Sequence, residues 1–255
     1  MKHVRIGSDP ETFLQDATGR FISSVGLIGG SKDEPMPIGK GCSVQEDNVT
    51  VEFNTPPTNN VDEFVKSINY NLDWIARRAD ELGLKVVYNP SAVFDKEQLN
   101  TEAAQTFGCD PDFNAWEYGA PNPRPQSRNR NLRSAGGHIH IEAPHLDKIE
   151  LAKAMDLFVG VPMMRFDTDK KRRQLYGKAG AFRPKSYGIE YRTASNAWLQ
   201  SDDTKRWVFD QSQKAVEFVE SGKQIPDELG DMIQIAINES KPEFMDDIQH
   251  WADSL

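Results

Sequence analysis

Apolar residues along the chain recur at two different periods. Val61, Phe64, Val65, Ile68, Leu72, Ile75, Ala79 and Leu82 follow steps of three and four, the repeat of one buried helix face. Asn60, with Glu63 three residues on, suits a capping box at the start of that helix. A second helix is predicted from Asp147, with Glu150 three residues on and Ile149, Ala152, Met155 and Val159 along one face, and two or three more over Asp203 to Trp251. Between them lie β-type runs at Val4 to Ile6, Phe21 to Ser23, Ser43 to Asn54, Lys85 to Tyr88, Gly137 to Ile141 and Gly188 to Arg192. Strands interleaved with helices in this way predict an α+β fold on a largely antiparallel sheet. The stretch from Asn89 to Arg133 follows neither period and is rich in Pro, Asn, Gly and Arg. It is longer than ordinary connections, so it is either functional or disordered.

Four of the short runs carry ionisable groups at strand spacing: Asp9-Pro10-Glu11, Glu52-Phe53-Asn54, His138-Ile139-His140-Ile141-Glu142 and Glu190-Tyr191-Arg192. Side chains at i and i+2 leave one face of a pleated strand. Each run would therefore send its polar groups to one side and its apolar residues to the other. Any half-solvated strand shows the same alternation, but four such runs together would gather Asp9, Glu11, Glu52, His138, His140, Glu190 and Arg192. Carboxylates repel when gathered, and a bound cation removes that repulsion. A set dominated by oxygen donors suits Mg²⁺, with Mn²⁺ better tolerated by a histidine ligand, and zinc is the rival ion.

Composition narrows the classes. At 255 residues the chain is within the range of one domain with a sizeable core, so we expect a single unit over 1–255 with a helical segment at about 203–255. No apolar run approaches a membrane span, and Met1 to Arg5 has no apolar signal segment, so a cytoplasmic location is expected. Cys42 and Cys109 are too few for a disulfide framework. A net charge of -9 argues against coating nucleic acid, although it averages over local basic patches.

The order Asp9-x-Glu11, Glu52-Phe53-Asn54-Thr55-Pro56, Gly137-His138-Ile139-His140, Glu190-Tyr191-Arg192 resembles the glutamine synthetase and γ-glutamylcysteine ligase superfamily. More narrowly, Gly108 to Trp116, Leu132 to Ile141 and Tyr176-Gly177-Lys178-Ala179-Gly180 resemble the phage-encoded COOH-NH2 ligase type 2 family, with matches from about Gly7 to Leu199. The resemblance implies a curved antiparallel sheet forming a catalytic cup, backed by helices, that holds ATP and Mg²⁺. It implies an ATP-dependent ligase that joins a carboxylate to an amine through an acyl phosphate, releasing ADP and phosphate. On this resemblance Asp9, Glu11, Glu52, His138 and Glu190 look like metal ligands, with Glu46 or Asp47 as a further acid. Asp9 departs from the more usual glutamate. Arg192 looks like the phosphate-contacting arginine, and it stands with Glu190 and Arg183 as the catalytic set. Arg133, His140, Lys178, Arg183, Lys185 and Arg192 are the expected nucleotide contacts, and Asn54, Asp110, Asp112 and Trp116 the expected substrate contacts. Glu142, Asp110 and Asp112 are candidates to take the proton of the amine.

The partners implied are a small-molecule or peptide carboxylate and an amine, with neither membrane nor nucleic acid as a structural partner. Lys170 to Arg173 read as a solvated basic surface at a helix end, as distinct from Arg133, Lys178 and Arg183. The glycines at 26, 29, 30, 39 and 41 lack a phosphate-loop ending and read as turns. Two other classes compete with the ligase: a zinc hydrolase using His138 and His140 with a carboxylate, and a non-catalytic binding protein on the same fold. Nucleotide dependence separates the ligase from both.

Overall fold

The computed structural model describes residues 4–101, 104, 112–123 and 127–254. Its strands are β1 (Arg5–Gln15), β2 (Phe21–Ile22), β3 (Met36–Gly39), β4 (Cys42–Asp47), β5 (Thr50–Asn54), β6 (Lys85–Val87), β7 (Ser91–Val93), β8 (Phe113–Asn114), β9 (Ala120–Pro121), β10 (Leu132–Ser134), β11 (Gly137–Glu142), β12 (Ala181–Lys185) and β13 (Gly188–Tyr191). Eleven of them form one sheet in the order β3-β4-β5-β1-β11-β13-β12-β8-β9, with β2 and β6 also on β1, and β10 pairs with β7 apart from it. All the paired strands among the described residues are antiparallel. The α+β class and the helix-backed antiparallel sheet therefore stand, but the curved cup does not. The strand order is an open path whose two ends, β3 and β9, do not pair with each other. Period-two patterning fixes which side chains share a face; it carries no information on whether a sheet closes.

Strand β1 is the axis of the sheet and is longer than its apolar start suggests. From Arg5 to Pro10 it pairs with β11, and from Glu11 to Thr12 with β5. Pro10, which has no N–H to donate, sits where the pairing changes hands, so a central strand accommodates it. The apolar sides of these strands, Ile139, Ile141, Ile189, Tyr191, Val51 and Phe53, form one core with Phe64, Ile68, Leu151, Met155, Val208 and Phe209 of the helices. The helix expected from Val61 spans Val61–Glu81, and Asn60 caps it by accepting from the N–H groups of Asp62 and Glu63. Only half of the capping box forms, because the Glu63 carboxylate takes the Thr58 hydroxyl at 2.7 Å instead. The second helix, Lys148–Met155, starts at Asp147 as expected and runs on into a π-helical turn, Asp156–Gly160. Helices Asp202–Glu220, Asp227–Asn238 and Met245–Ala252 fill the last fifth of the chain.

The basic run at Lys170 departs from its expected surface role. Lys170–Leu175 is itself a helix, capped by Asp169. Arg172 and Arg173 are buried, Arg172 donating to the carbonyls of Thr193 and Arg192 at 2.6 and 3.0 Å and Arg173 pairing with Asp167 at 3.1 Å. Only Lys170 and Lys171 match the solvated reading. Among the described residues no helix is long and apolar enough to cross a membrane.

Candidate metal and anion site

The registers place the polar runs side by side on one face. Asp9 lies opposite His138, His140 opposite Glu190, Glu190 opposite Arg183, and Glu52 opposite both Glu11 and Gln45. Two groups of potential cation ligands result, Asp9 with His138 and Glu190, and Glu11 with Asp47 and Glu52, the donor atoms within each lying inside 4.8 Å of one another. Gly136 and Gly137 make this possible, since a Cβ on Gly136 would collide with the His138 ring and one on Gly137 with the Ser195 carbonyl. The Gly136 N–H in turn donates to Glu11 Oε2 at 2.7 Å.

In the first group His138 Nδ1 lies 3.5 Å from Asp9 Oδ1 and 3.9 Å from Glu190 Oε1. Burial and the neighbouring Arg192 push the His138 imidazole down to about 4, which keeps a nitrogen lone pair free to ligate at neutral pH. Burial works to raise the Asp9 carboxyl, but His140 and His138 outweigh it and hold it well below the usual range. Asp9 Oδ1 and His140 Nε2, both buried, face each other at 2.9 Å. A buried, ionised carboxylate held between two imidazoles is suited to ligate a cation. His140 Nδ1 contacts the Tyr187 hydroxyl at 2.5 Å. His140 thus adjoins the first group through Asp9, with its other nitrogen on Tyr187, and the three donors of that group are Asp9, His138 and Glu190.

Glu190, almost fully buried, is ringed by cations. Arg192 Nη1 contacts it directly, Arg183 Nη1 lies at 3.2 Å and Lys185 Nζ at 2.8 Å. Burial alone would raise its carboxyl, yet Arg192 leads the effects that bring it down to about 2. Asp112 stands 3.6 Å from Arg192 Nε.

The second group settles which acid is near Glu52. Asp47 joins Glu11 and Glu52, whereas Glu46, one residue away and so on the opposite face, accepts the N–H groups of Gly26, Ile28 and Gly29 at 2.8, 2.9 and 2.8 Å. Glu46 is a loop anchor. Gln45 donates to Glu52 at 2.8 Å. Burial, with Asp47 adding to it, raises the Glu11 carboxyl to about 7, the response of a crowded acid.

Other expected residues lie elsewhere. Arg133 is on the small β7–β10 sheet, where its guanidinium donates to the carbonyls of Ala104, Arg130 and Leu132. Trp116 donates its indole N–H to Asp156. Lys178 is half-buried, in the turn before β12. Asn54 lines a cavity of about 380 Å³ with Arg5, Thr55, His140, Glu142 and Tyr187, and Glu142 pairs with Arg5 at 2.7 Å. Asp110, Cys109 and Arg124 lie outside the described residues.

Three contributors escaped the sequence reading: Tyr187, the buried Arg172, and Asp156. Asp156 has no charged neighbour in sequence to announce it, and only its place in a π-helical turn marks it. It is fully buried, and its Oδ2 accepts from Trp116 Nε1 at 2.7 Å and from the Gly180 N–H at 2.5 Å, its Oδ1 from the Tyr191 hydroxyl at 2.7 Å. Burial raises its carboxyl from 3.8 to about 6 against these hydrogen bonds. A folded-state value above the unfolded one means that this group's contribution is fully present below 3.8 and is lost as pH rises through about 6. Asp156→Asn should therefore gain stability relative to wild type between about pH 4 and about pH 7.5, by on the order of 2–3 kcal/mol. Urea denaturation of both proteins at the two pH values checks this, and a gap that does not change with pH would refute it.

A sheet face with two groups of potential cation ligands, one of them bordered by arginine and lysine, can hold cations beside an anion, as ligase chemistry requires. A Phage phiEco32-like COOH.NH2 ligase-type 2 domain is found over residues 128–247, the family that the motifs resemble. The matched stretch includes His138, Glu190 and Arg192, and Asp9, Glu11, Asp47 and Glu52 come from the chain before it. No curated protein matches the chain.

Proposed function

We propose that the protein is an ATP- and Mg²⁺-dependent ligase that joins a carboxylate to an amine through an acyl phosphate, with release of ADP and phosphate. The observation that carries this reading is the pairing of two cation-ligand groups with the Arg183, Lys185 and Arg192 cluster on one strand face. The residues fit the ions: five of the six donors are carboxylates, the chemistry that hard cations select, and Asp9, buried between His138 and His140, is held ionised. Asp9, His138 and Glu190 would hold one ion, and Glu11, Asp47 and Glu52 a second.

ATP supplies the phosphoryl group that makes a carboxylate electrophilic, and the cations neutralise the charge that spreads over its oxygens. Arg192, Arg183 and Lys185 stand ready to take phosphate oxygens, work for which fixed positive side chains are suited. The cavity between Asn54, His140 and Tyr187 is of a size that suits a nucleoside, and His140 stands between it and the first ion group. Asp112 beside Arg192 is the described candidate for the amine's proton. The reading makes residues 1–255 one catalytic unit, because the ion ligands run from Asp9 to Glu190 and helix residues beyond them, such as Val208 and Phe209, share the strands' core.

The test needs no knowledge of the acid or amine. ATP with Mg²⁺ should raise the melting temperature of the purified protein by several degrees at saturating ligand, since a ligand bound only by the folded state stabilises it. ATP with EDTA should not. A rise then justifies screening acids and amines for ADP release, and identical melting with and without MgATP would overturn the reading.

A further inference from the structure

The Asp156 carboxylate lies on the helix side of the sheet, behind the strand face just described, yet its partners belong to that face's supports. Tyr191 is the last residue of β13, between Glu190 and Arg192, so its hydroxyl is the rear tether of the segment that presents those two groups. Gly180 closes the Tyr176–Gly180 turn that carries Lys178. Thr193, whose hydroxyl lies 3.3 Å from Asp156 Oδ1, donates to the Lys178 carbonyl at 2.7 Å. One buried side chain thus joins the β13 strand, the Lys178 turn and the Trp116 loop. The close approach is built in at Gly160, where a Cβ would come to 2.5 Å from the Tyr191 hydroxyl and 3.3 Å from Asp156 Oδ1. The π-helical turn that contains both residues, Asp156–Gly160, is a form that recurs at functional sites.

We propose that Asp156 is a positioning residue that holds the Lys178 turn against the Glu190–Arg192 segment, and with it the placement of Arg192 in the cationic cluster offered to a polyphosphate. What those groups receive rests on the ligase reading above; the tether itself does not. The carboxylate works by geometry: Oδ2 fixes the turn and the indole, and Oδ1 fixes the strand. An asparagine can reproduce this. Its carbonyl oxygen accepts from Gly180 and Trp116, and its NH₂ donates to the Tyr191 and Thr193 hydroxyls, which are able to accept. Alanine cannot.

The test compares Asp156→Ala, Asp156→Asn and Tyr191→Phe with wild type by two measurements. The first is amide hydrogen exchange over residues 176–180 of the ligand-free protein, and the second is MgATP affinity by calorimetry. Asp156→Ala should lose protection at Gly180 and weaken MgATP by about tenfold or more, the order expected when a buried donor loses its acceptor. Asp156→Asn should keep both within about threefold of wild type. Should Asp156→Ala fail to fold, Tyr191→Phe, which keeps the ring in the core and removes one donor, should weaken MgATP severalfold while leaving Gly180 protected. Unchanged Gly180 exchange in folded Asp156→Ala overturns the tether. Wild-type MgATP affinity in Tyr191→Phe, or in a folded Asp156→Ala, overturns its role in placing Arg192. If wild type itself binds no MgATP, the ligase reading has failed, and the exchange measurement still decides the tether.

Discussion

Glu190→Gln is expected to be the most damaging single substitution on the strand face, and to damage it in two separable ways. The first is stability. Glu190 is buried against Arg192, Arg183 and Lys185, and removing the carboxylate charge leaves Arg192, itself almost fully buried, beside a neutral amide. Breaking a buried ion pair from one side costs about 3–5 kcal/mol. Lys185 is a third exposed and recovers solvation, so the lower end of that range is the better expectation. The second effect is on binding. Glu190 is both a candidate cation ligand and the group that holds the arginines in place, so MgATP should no longer raise the melting temperature at any attainable concentration. Melting curves with and without MgATP read both effects at once. A variant that melts like wild type and still responds to MgATP would remove Glu190 from both roles.

Asp47→Asn should move the same two quantities in opposite directions. In the ligand-free protein Glu11, Asp47 and Glu52 are crowded together, and the high Glu11 carboxyl value reports the strain, burial being its first cause and Asp47 its second. Removing one of the charges relieves a repulsion on the order of 1–3 kcal/mol, so the metal-free variant should melt a few degrees above wild type. The same change deletes a ligand, so apparent Mn²⁺ or Mg²⁺ affinity should fall by more than about tenfold. Glu46→Gln is the control. It disturbs the anchor of the Gly26–Gly29 turn and should lower the melting temperature while leaving cation affinity alone. A structural acid cannot show the Asp47 pattern, because loss of a structural acid does not stabilise the apoprotein. Should Asp47→Asn melt below wild type, with cation affinity intact, the second ion group would be refuted.

Much of this face was legible in the sequence because strand geometry is local. Pleating alone puts His138 with His140 and Glu190 with Arg192 on one side, and Ile139, Ile141 and Tyr191 on the other. The helix from Val61 and the N-caps at Asn60 and Asp147 were equally readable, since capping is a matter of three or four consecutive residues. Local pattern also left open the His-x-His pair as two ligands of a zinc ion. In the structure His138 groups with Asp9 and Glu190, while His140 reaches Asp9 with one nitrogen and Tyr187 with the other.

What the sequence by itself determined is the content of the face: which polar groups it holds, in what order, and the family those motifs resemble. What only the tertiary structure decided is how strands from distant parts of the chain pair. Pairing brought Asp47 rather than Glu46 to the face of the Glu11–Glu52 couple and left the sheet open where a cup was expected, and packing turned Arg172 and Arg173 inward and set Asp156 on the Tyr191 hydroxyl. The physical reason is that side-chain direction is set by backbone dihedrals within a few residues. Strand partners are set by which surfaces bury each other across the whole chain, and no short window of sequence contains that information.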